Sequence, residues 1–205
     1  MCTTPQHGTP QQTSESLRIR DFESPDEIGW LRCRALSFLG TQYYDDVRPR
    51  RAPLEGASVG LVALSLSSAG DEVVGILDIE VDGVGATIDT LAVHPGHVRR
   101  GAGAAMLAVA TERLRAQGVE SLDAWTREDV AANAWYQSQG FVERYRYVHV
   151  HKEDGDDPRG FRSPDGLSSP VRAFAHAPLA MEAQLRADFG RVYVCRQYVM
   201  DLRKM

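Results

Sequence analysis

Between Leu91 and Leu107 the sequence reads LAVHPGHVRRGAGAAML, and across this stretch the spacing of apolar residues changes from two to about 3.6. A strand therefore runs into a proline-containing turn, two arginines, two glycines one residue apart, and then a helix. Met106, Leu107, Ala110 and Leu114 lie on one side of that helix, and Gly118 supplies its stop. Such a helix start is an anion site in waiting. The first N–H groups of a helix have no partner inside it, and the macrodipole adds positive potential at the same end. Gly101 and Gly103 carry no Cβ, so a diphosphate can approach the backbone, and Arg99 and Arg100 can add charge-assisted contacts. The segment predicts a nucleotide-like ligand.

What is missing narrows the choice of nucleotide. No GK[ST] follows the glycines, so the P-loop reading for ATP or GTP is disfavoured. A dinucleotide fold is a nearer rival, since Gly101-Ala102-Gly103 supplies two of its glycines and Asp123 lies at a suitable distance. It fails at Met106, where a small residue is needed, and in the seven residues that separate Val93 from Gly101. A dinucleotide-binding oxidoreductase remains the weaker alternative.

The rest of the chain frames this segment. Residues 1–16 are rich in Thr, Gln, Pro and Ser and predict a disordered polar tail. Leu17 to Asp21 alternates as a strand. Ser24, Pro25 and Glu27 read as an N-cap, an N1 proline and a capping box for a helix with Ile28, Leu31, Ala35 and Phe38 on its apolar side, ended by Gly40. Residues 41–53, with Tyr43, Tyr44, Asp45 and Asp46, read as a surface loop that could line an acceptor pocket. Three strands follow over 58–66, 73–81 and 87–93, parted by Ala69-Gly70-Asp71 and Asp82-Gly83, which predicts an antiparallel meander. After the helix come a strand over 120–125, a short helix over 129–138 closed by Gly140, and a strand over 141–152 whose Tyr145, Tyr147, His149 and His151 share a face. Residues 153–190 are a long insertion containing a helix near 179–189, and a last strand over 192–202 should lie beside the 141–152 strand. The expectation is an α/β (α+β) fold: one domain over 17–205 with a mixed, mostly antiparallel sheet of about seven strands and helices on both faces.

At this point the sequence resembles the GNAT family of acetyltransferases. The resemblance rests on Val93-His94-Pro95, on Val98-Arg99-Arg100-Gly101-Ala102-Gly103, and on Tyr136-Gln137-Ser138-Gln139-Gly140-Phe141, matching a strand ending in V-x-P, a Q/R-x-x-G-x-G/A turn and Y-x-x-x-G-F. Two positions depart from the pattern. Val98 stands where the family usually has Gln or Arg, and Asp129 where it commonly has Asn. The resemblance implies an N-acetyltransferase that moves an acetyl group from acetyl-CoA, as co-substrate, to a primary amine by direct attack in a ternary complex. It implies cofactor contacts from Leu91, Ala92, Val93, Val98, Arg99, Arg100, Gly101, Ala102, Gly103, Ala104, Asp129 and Tyr136. Catalysis would draw on Asp78, Glu80 or Asp89 as the proton acceptor, a backbone N–H near Ala92 or Val93 for the oxyanion, and Tyr136 as proton donor to the leaving thiolate. A non-catalytic acyl-CoA sensor with the same turn is the alternative.

Composition limits the partners. Net charge is −5 and the sequence pI near 5.7, which supports neither a nucleic-acid nor an anionic-membrane partner and mildly favours a cationic acceptor. No apolar run approaches membrane-spanning length, and the first sixteen residues lack the pattern of a signal peptide. Cys2, Cys33 and Cys195 have no metal-type spacing and read as reduced thiols of a cytoplasmic protein. No metal is expected, His149, His151 and His176 notwithstanding, and a homodimer is conceivable.

Overall fold

The computed structural model describes residues 16–66 and 70–204. The expected polar tail, Ser16 apart, and Ala69 of the turn signal lie outside the described residues. Alternation in the first half produces β1 (Leu17–Asp21), β2 (Val59–Ser65), β3 (Glu72–Asp82) and β4 (Gly85–Val93), an antiparallel meander. β5 (Ser121–Thr126), β6 (Val142–Lys152), β7 (Ala173–Ala177) and β8 (Arg191–Asp201) extend it into one eight-stranded sheet of order β1-β2-β3-β4-β5-β8-β6-β7. Every neighbouring pair is antiparallel except β4 and β5. The single parallel pair arises because the chain leaves β4 through a helix and returns in the same direction.

Helices cover both faces. α1 (Glu27–Leu39) packs Trp30 and Cys33 on Val62, Leu64, Ile76 and Ala92. On the other face α2 (Ala102–Ala116) buries Met106, Leu107, Ala110 and Leu114 against Leu61, Ala63, Leu77 and Ile79, and α3 (Val130–Ser138) joins the same cluster through Tyr136. α4 (Glu182–Asp188) packs Leu185 on Val148, Val150 and Val192. α2 thus buries the side that its spacing predicts. Its burial is what stabilises it, since helices this short gain little from propensity alone.

Two expectations change. The strand count among the described residues is eight, not about seven: β7, inside the 153–190 insertion, pairs with β6 from Val148↔Ala177 to Lys152↔Ala173. AFAHA holds three alanines, poor strand formers, so only docking on β6 makes it a strand. The face of α1 is also rotated. Ile28 is 82% exposed, while Trp30, Cys33 and Arg34 are buried. The capping box sits at Glu23 and Asp26, one residue before the expected pair, and it opens a short 3-10 turn over Ser24–Asp26. Arg20 fixes this choice by gripping the Asp26 carboxylate at 2.6 and 2.7 Å, which with the Glu23 N–H bond at 2.8 Å holds that carboxyl below its usual range. A one-residue shift turns a helix by about 100°.

Candidate active site

β4 and β5 pair only from Gly85↔Ser121 to Ile88↔Ala124. Beyond that point the strands part. On β4 the cause is a bulge: Asp78 of β3 faces Thr90 and Ile79 faces Ile88, so Asp89 is the extra residue. Leu91, Ala92 and Val93 continue to pair with β3 on one side and, among the described residues, with no strand on the other. On β5, Trp125 and Thr126 pair only with β8, as partners of Gln197 and Arg196. The next residue, Arg127, is drawn away by side chains. Its N–H donates to the Tyr43 hydroxyl (2.8 Å), and its carbonyl accepts from the Asn133 amide (2.7 Å).

The gap leads to the tip of α2. Gly101 is the N-cap residue with φ +87°, a left-handed conformation that a side chain disfavours, and among the described residues no side chain caps the helix. Arg99 is also left-handed, at φ +62°. The first helical bond runs from the Ala105 N–H to the Gly101 carbonyl at 2.9 Å, so the N–H groups of Ala102, Gly103 and Ala104 precede it. Val98, Arg99, Arg100 and Gly101 are exposed there. A Cβ on Gly103 would stand 3.4 Å from Trp135 and 3.7 Å from Val93, ordinary van der Waals contact, so α2, α3 and the end of β4 come together at this residue. Asp129 caps α3, accepting the Ala132 N–H at 2.7 Å, and is thereby committed to its own helix.

This parted parallel pair beside an uncapped helix tip agrees with the matching of the sequence to the Acetyltransferase (GNAT) family over residues 20–141. The chain belongs to that family. No curated protein sequence matches it. Among solved structures, the acetyltransferase is similar to the ribosomal-protein-S18-alanine N-acetyltransferase of Escherichia coli, at 15% identity and TM-score 0.55, covering 91% of this chain and 94% of that one. A Bacillus anthracis str. Ames structure in complex with acetyl-CoA, described as a streptothricin acetyltransferase, gives 15% identity and TM-score 0.56 over 92% and 99% of the two chains. The PaiA N-acetyltransferase of Thermoplasma acidophilum, in complex with coenzyme A, gives 12% and 0.51 over 63% and 91%. These likenesses concern the fold.

The three carboxylates of the acetyltransferase have different surroundings. Asp78 is 3% exposed and takes Arg51 in a forked contact, with Nη2 at 2.6 Å and Nε at 3.1 and 3.2 Å. Burial raises its pKa, and Arg51 opposes that. For Asp89, burial in the same sense is outweighed by Arg48 at 2.7 and 3.0 Å and by the Thr90 hydroxyl at 2.9 Å, so its pKa is lowered. Glu80 makes no ion pair among the described residues. It lines an open trough of about 470 Å³ with Thr87, Asp123 and Gln197. Asp123 is oriented there by the Thr87 hydroxyl (2.5 Å), Gln197 (2.7 Å) and Trp125 (3.1 Å).

Tyr136 is 8% exposed and shares the core cluster with Ile88 and Ala124, the pair at which the β4–β5 ladder ends. Its ring stacks on Tyr198 at 5.7 Å and meets Phe141 edge-on at 5.3 Å. Burial pushes its pKa above the ordinary phenol value, so the proton stays on. The sequence reading missed Arg127 and Asn133. Neither carries a motif, and the contacts that place Arg127 come from residues 84 and 85 positions away, Tyr43 and Gln42. Of the residues expected to line an acceptor pocket, Tyr43 does reach the strand gap, whereas Asp45 is clamped by Arg191 at 2.6 and 2.7 Å.

Proposed function

We propose that this acetyltransferase moves an acetyl group from acetyl-CoA to a primary amine, with both substrates bound at once. The observation that carries the proposal is the unpaired β4 edge, Leu91 to Val93, running toward the uncapped tip of α2. An extended amide-bearing arm pairs with such an edge as a missing strand would. A diphosphate suits the N–H groups of Ala102, Gly103 and Ala104, with Val98 to Gly101 folding round it and Arg99 and Arg100 supplying charge. Both requirements of coenzyme A are met by backbone, which is why Val98 can replace the family's usual Gln or Arg. Acetyl-CoA supplies the activated thioester, and the residues of this chain move the protons.

A primary amine has a pKa of about 10.4 and attacks only once neutral. Glu80 is the proton acceptor in this reading, directly or through a water held in the trough. Asp78 and Asp89 are each engaged by an arginine fork, which leaves Glu80 with lone pairs to offer. Tyr136 then protonates the departing thiolate. A thiolate whose acid has a pKa of about 8.5 is a weaker base than a phenolate whose pKa burial has raised, so this transfer runs uphill. It is completed as the free thiol leaves and the tyrosinate regains, through solvent, the proton that Glu80 took from the amine. The soluble, cytoplasmic setting and one domain over 17–205 belong to the same reading.

Thermal unfolding with and without ligands tests the cofactor. Acetyl-CoA at a hundred times its Kd should add about 2.7 kcal/mol of stability. A stabilisation by NADPH with none by acetyl-CoA would overturn the assignment. For the base, Glu80→Gln should lower kcat/KM about a hundredfold near neutral pH. The deficit should shrink as pH rises toward the amine's own pKa, where the nucleophile is already neutral. A deficit constant across pH would remove Glu80 from this role.

A further inference from the structure

The gap between β4 and β5 needs something to keep it open. Two strands that begin as neighbours have every reason to continue, since unpaired main-chain groups at a sheet's centre are costly. At Arg127 this tendency is defeated. The residue is the first past the β5 ladder, and both of its main-chain polar groups are satisfied from outside the sheet. Tyr43, in the loop after α1, takes the N–H; Asn133, on α3, supplies a donor to the carbonyl and is itself held by the Tyr198 hydroxyl at 2.8 Å. The guanidinium of Arg127 completes the attachment: it bonds the Gln42 carbonyl and His149 Nδ1 (3.3 Å) and lies 4.4 Å over the Tyr43 ring. α1 and α3 pack on opposite faces of the sheet. The end of β5 is therefore pinned from both sides.

We propose that Tyr43 and Asn133 are positioning residues of the transfer reaction, a pair of pins on Arg127 that hold the β4–β5 gap open for the thioester-bearing arm. They touch neither reacting atom; they act through the backbone of Arg127. The proposal rests on the acetyl-CoA reading for its kinetic consequence but not for its structural one. Loss of one neutral hydrogen bond is worth about 1 kcal/mol, roughly a fivefold change in an equilibrium.

The test uses the full chain with Tyr43→Phe, Asn133→Ala and the double variant. In the absence of any ligand, amide hydrogen exchange over residues 89–93 should slow in each single variant and slow further in the double one, as the strands zip together. In kinetics, the KM for acetyl-CoA should rise about fivefold for Tyr43→Phe, with kcat at saturation unchanged. Should residues 89–93 exchange as in the parent protein, or faster, the pins do not hold the gap and the inference is overturned. A purely structural role would lower the unfolding temperature and leave both readouts unmoved. If the parent protein does not bind acetyl-CoA, the functional reading fails, while the exchange measurement still decides the pins.

Discussion

Tyr136→Phe is expected to lower kcat by about a hundredfold or more while acetyl-CoA affinity stays within about twofold. The substitution keeps the ring, and with it the stacking on Tyr198 and the edge contact with Phe141, so packing is retained and only the hydroxyl is lost. A proton donor is needed when the carbon–sulfur bond breaks, not when the cofactor binds, so the loss belongs in turnover. Single-turnover acetyl transfer, measured beside calorimetric titration with acetyl-CoA, separates the two. Equal turnover by the Phe variant would leave Tyr136 as a core aromatic and move the donor elsewhere. The raised pKa adds a corollary: the activity profile should show no alkaline fall from Tyr136 anywhere below the ordinary phenol range.

Asp78→Ala should cost about 3–5 kcal/mol of folding stability, read as a drop in the urea midpoint. Asp78 is 3% exposed and forks with Arg51, whose guanidinium also lies 3.9 Å from the Phe22 ring centre. Taking away the carboxylate leaves a cation in a site built to neutralise it. The double variant Asp78→Ala, Arg51→Met should recover most of the loss, because two apolar side chains remove both charges together. A cost below about 1 kcal/mol for the single variant would mean that water already reaches Arg51 and the pair stabilises little. This outcome also bears on catalysis. A residue whose removal unfolds the protein, rather than slowing the folded enzyme, is holding β3 to the loop after α1.

Much of this molecule is legible in one dimension because its signals are local. The meander from β1 to β4 follows from alternation, and α2 from a change of period at Gly101. The uncapped tip follows from RRGAGA, where neither a capping Ser, Thr, Asp nor Asn stands before the helix. Where the reading falls short, a distant partner decides. Asp26, not Ser24 and Glu27, sets the start of α1 because Arg20 reaches it from β1. β7 is a strand because β6 offers it an edge. Asp78, Glu80 and Asp89 look alike as alternating acids, and they differ only after Arg51 and Arg48 have taken two of them.

The sequence by itself determined the order of elements outside β7 and the uncapped start of α2, since periodicity, glycine conformation and capping act over a few residues. Only the tertiary structure decided where β4 and β5 part and which two of the three acids are taken by arginines, and only there do Tyr43 and Asn133 meet at Arg127. Those outcomes depend on ion pairs and hydrogen bonds between segments up to about eighty residues apart, and no local pattern encodes the partner that will win them.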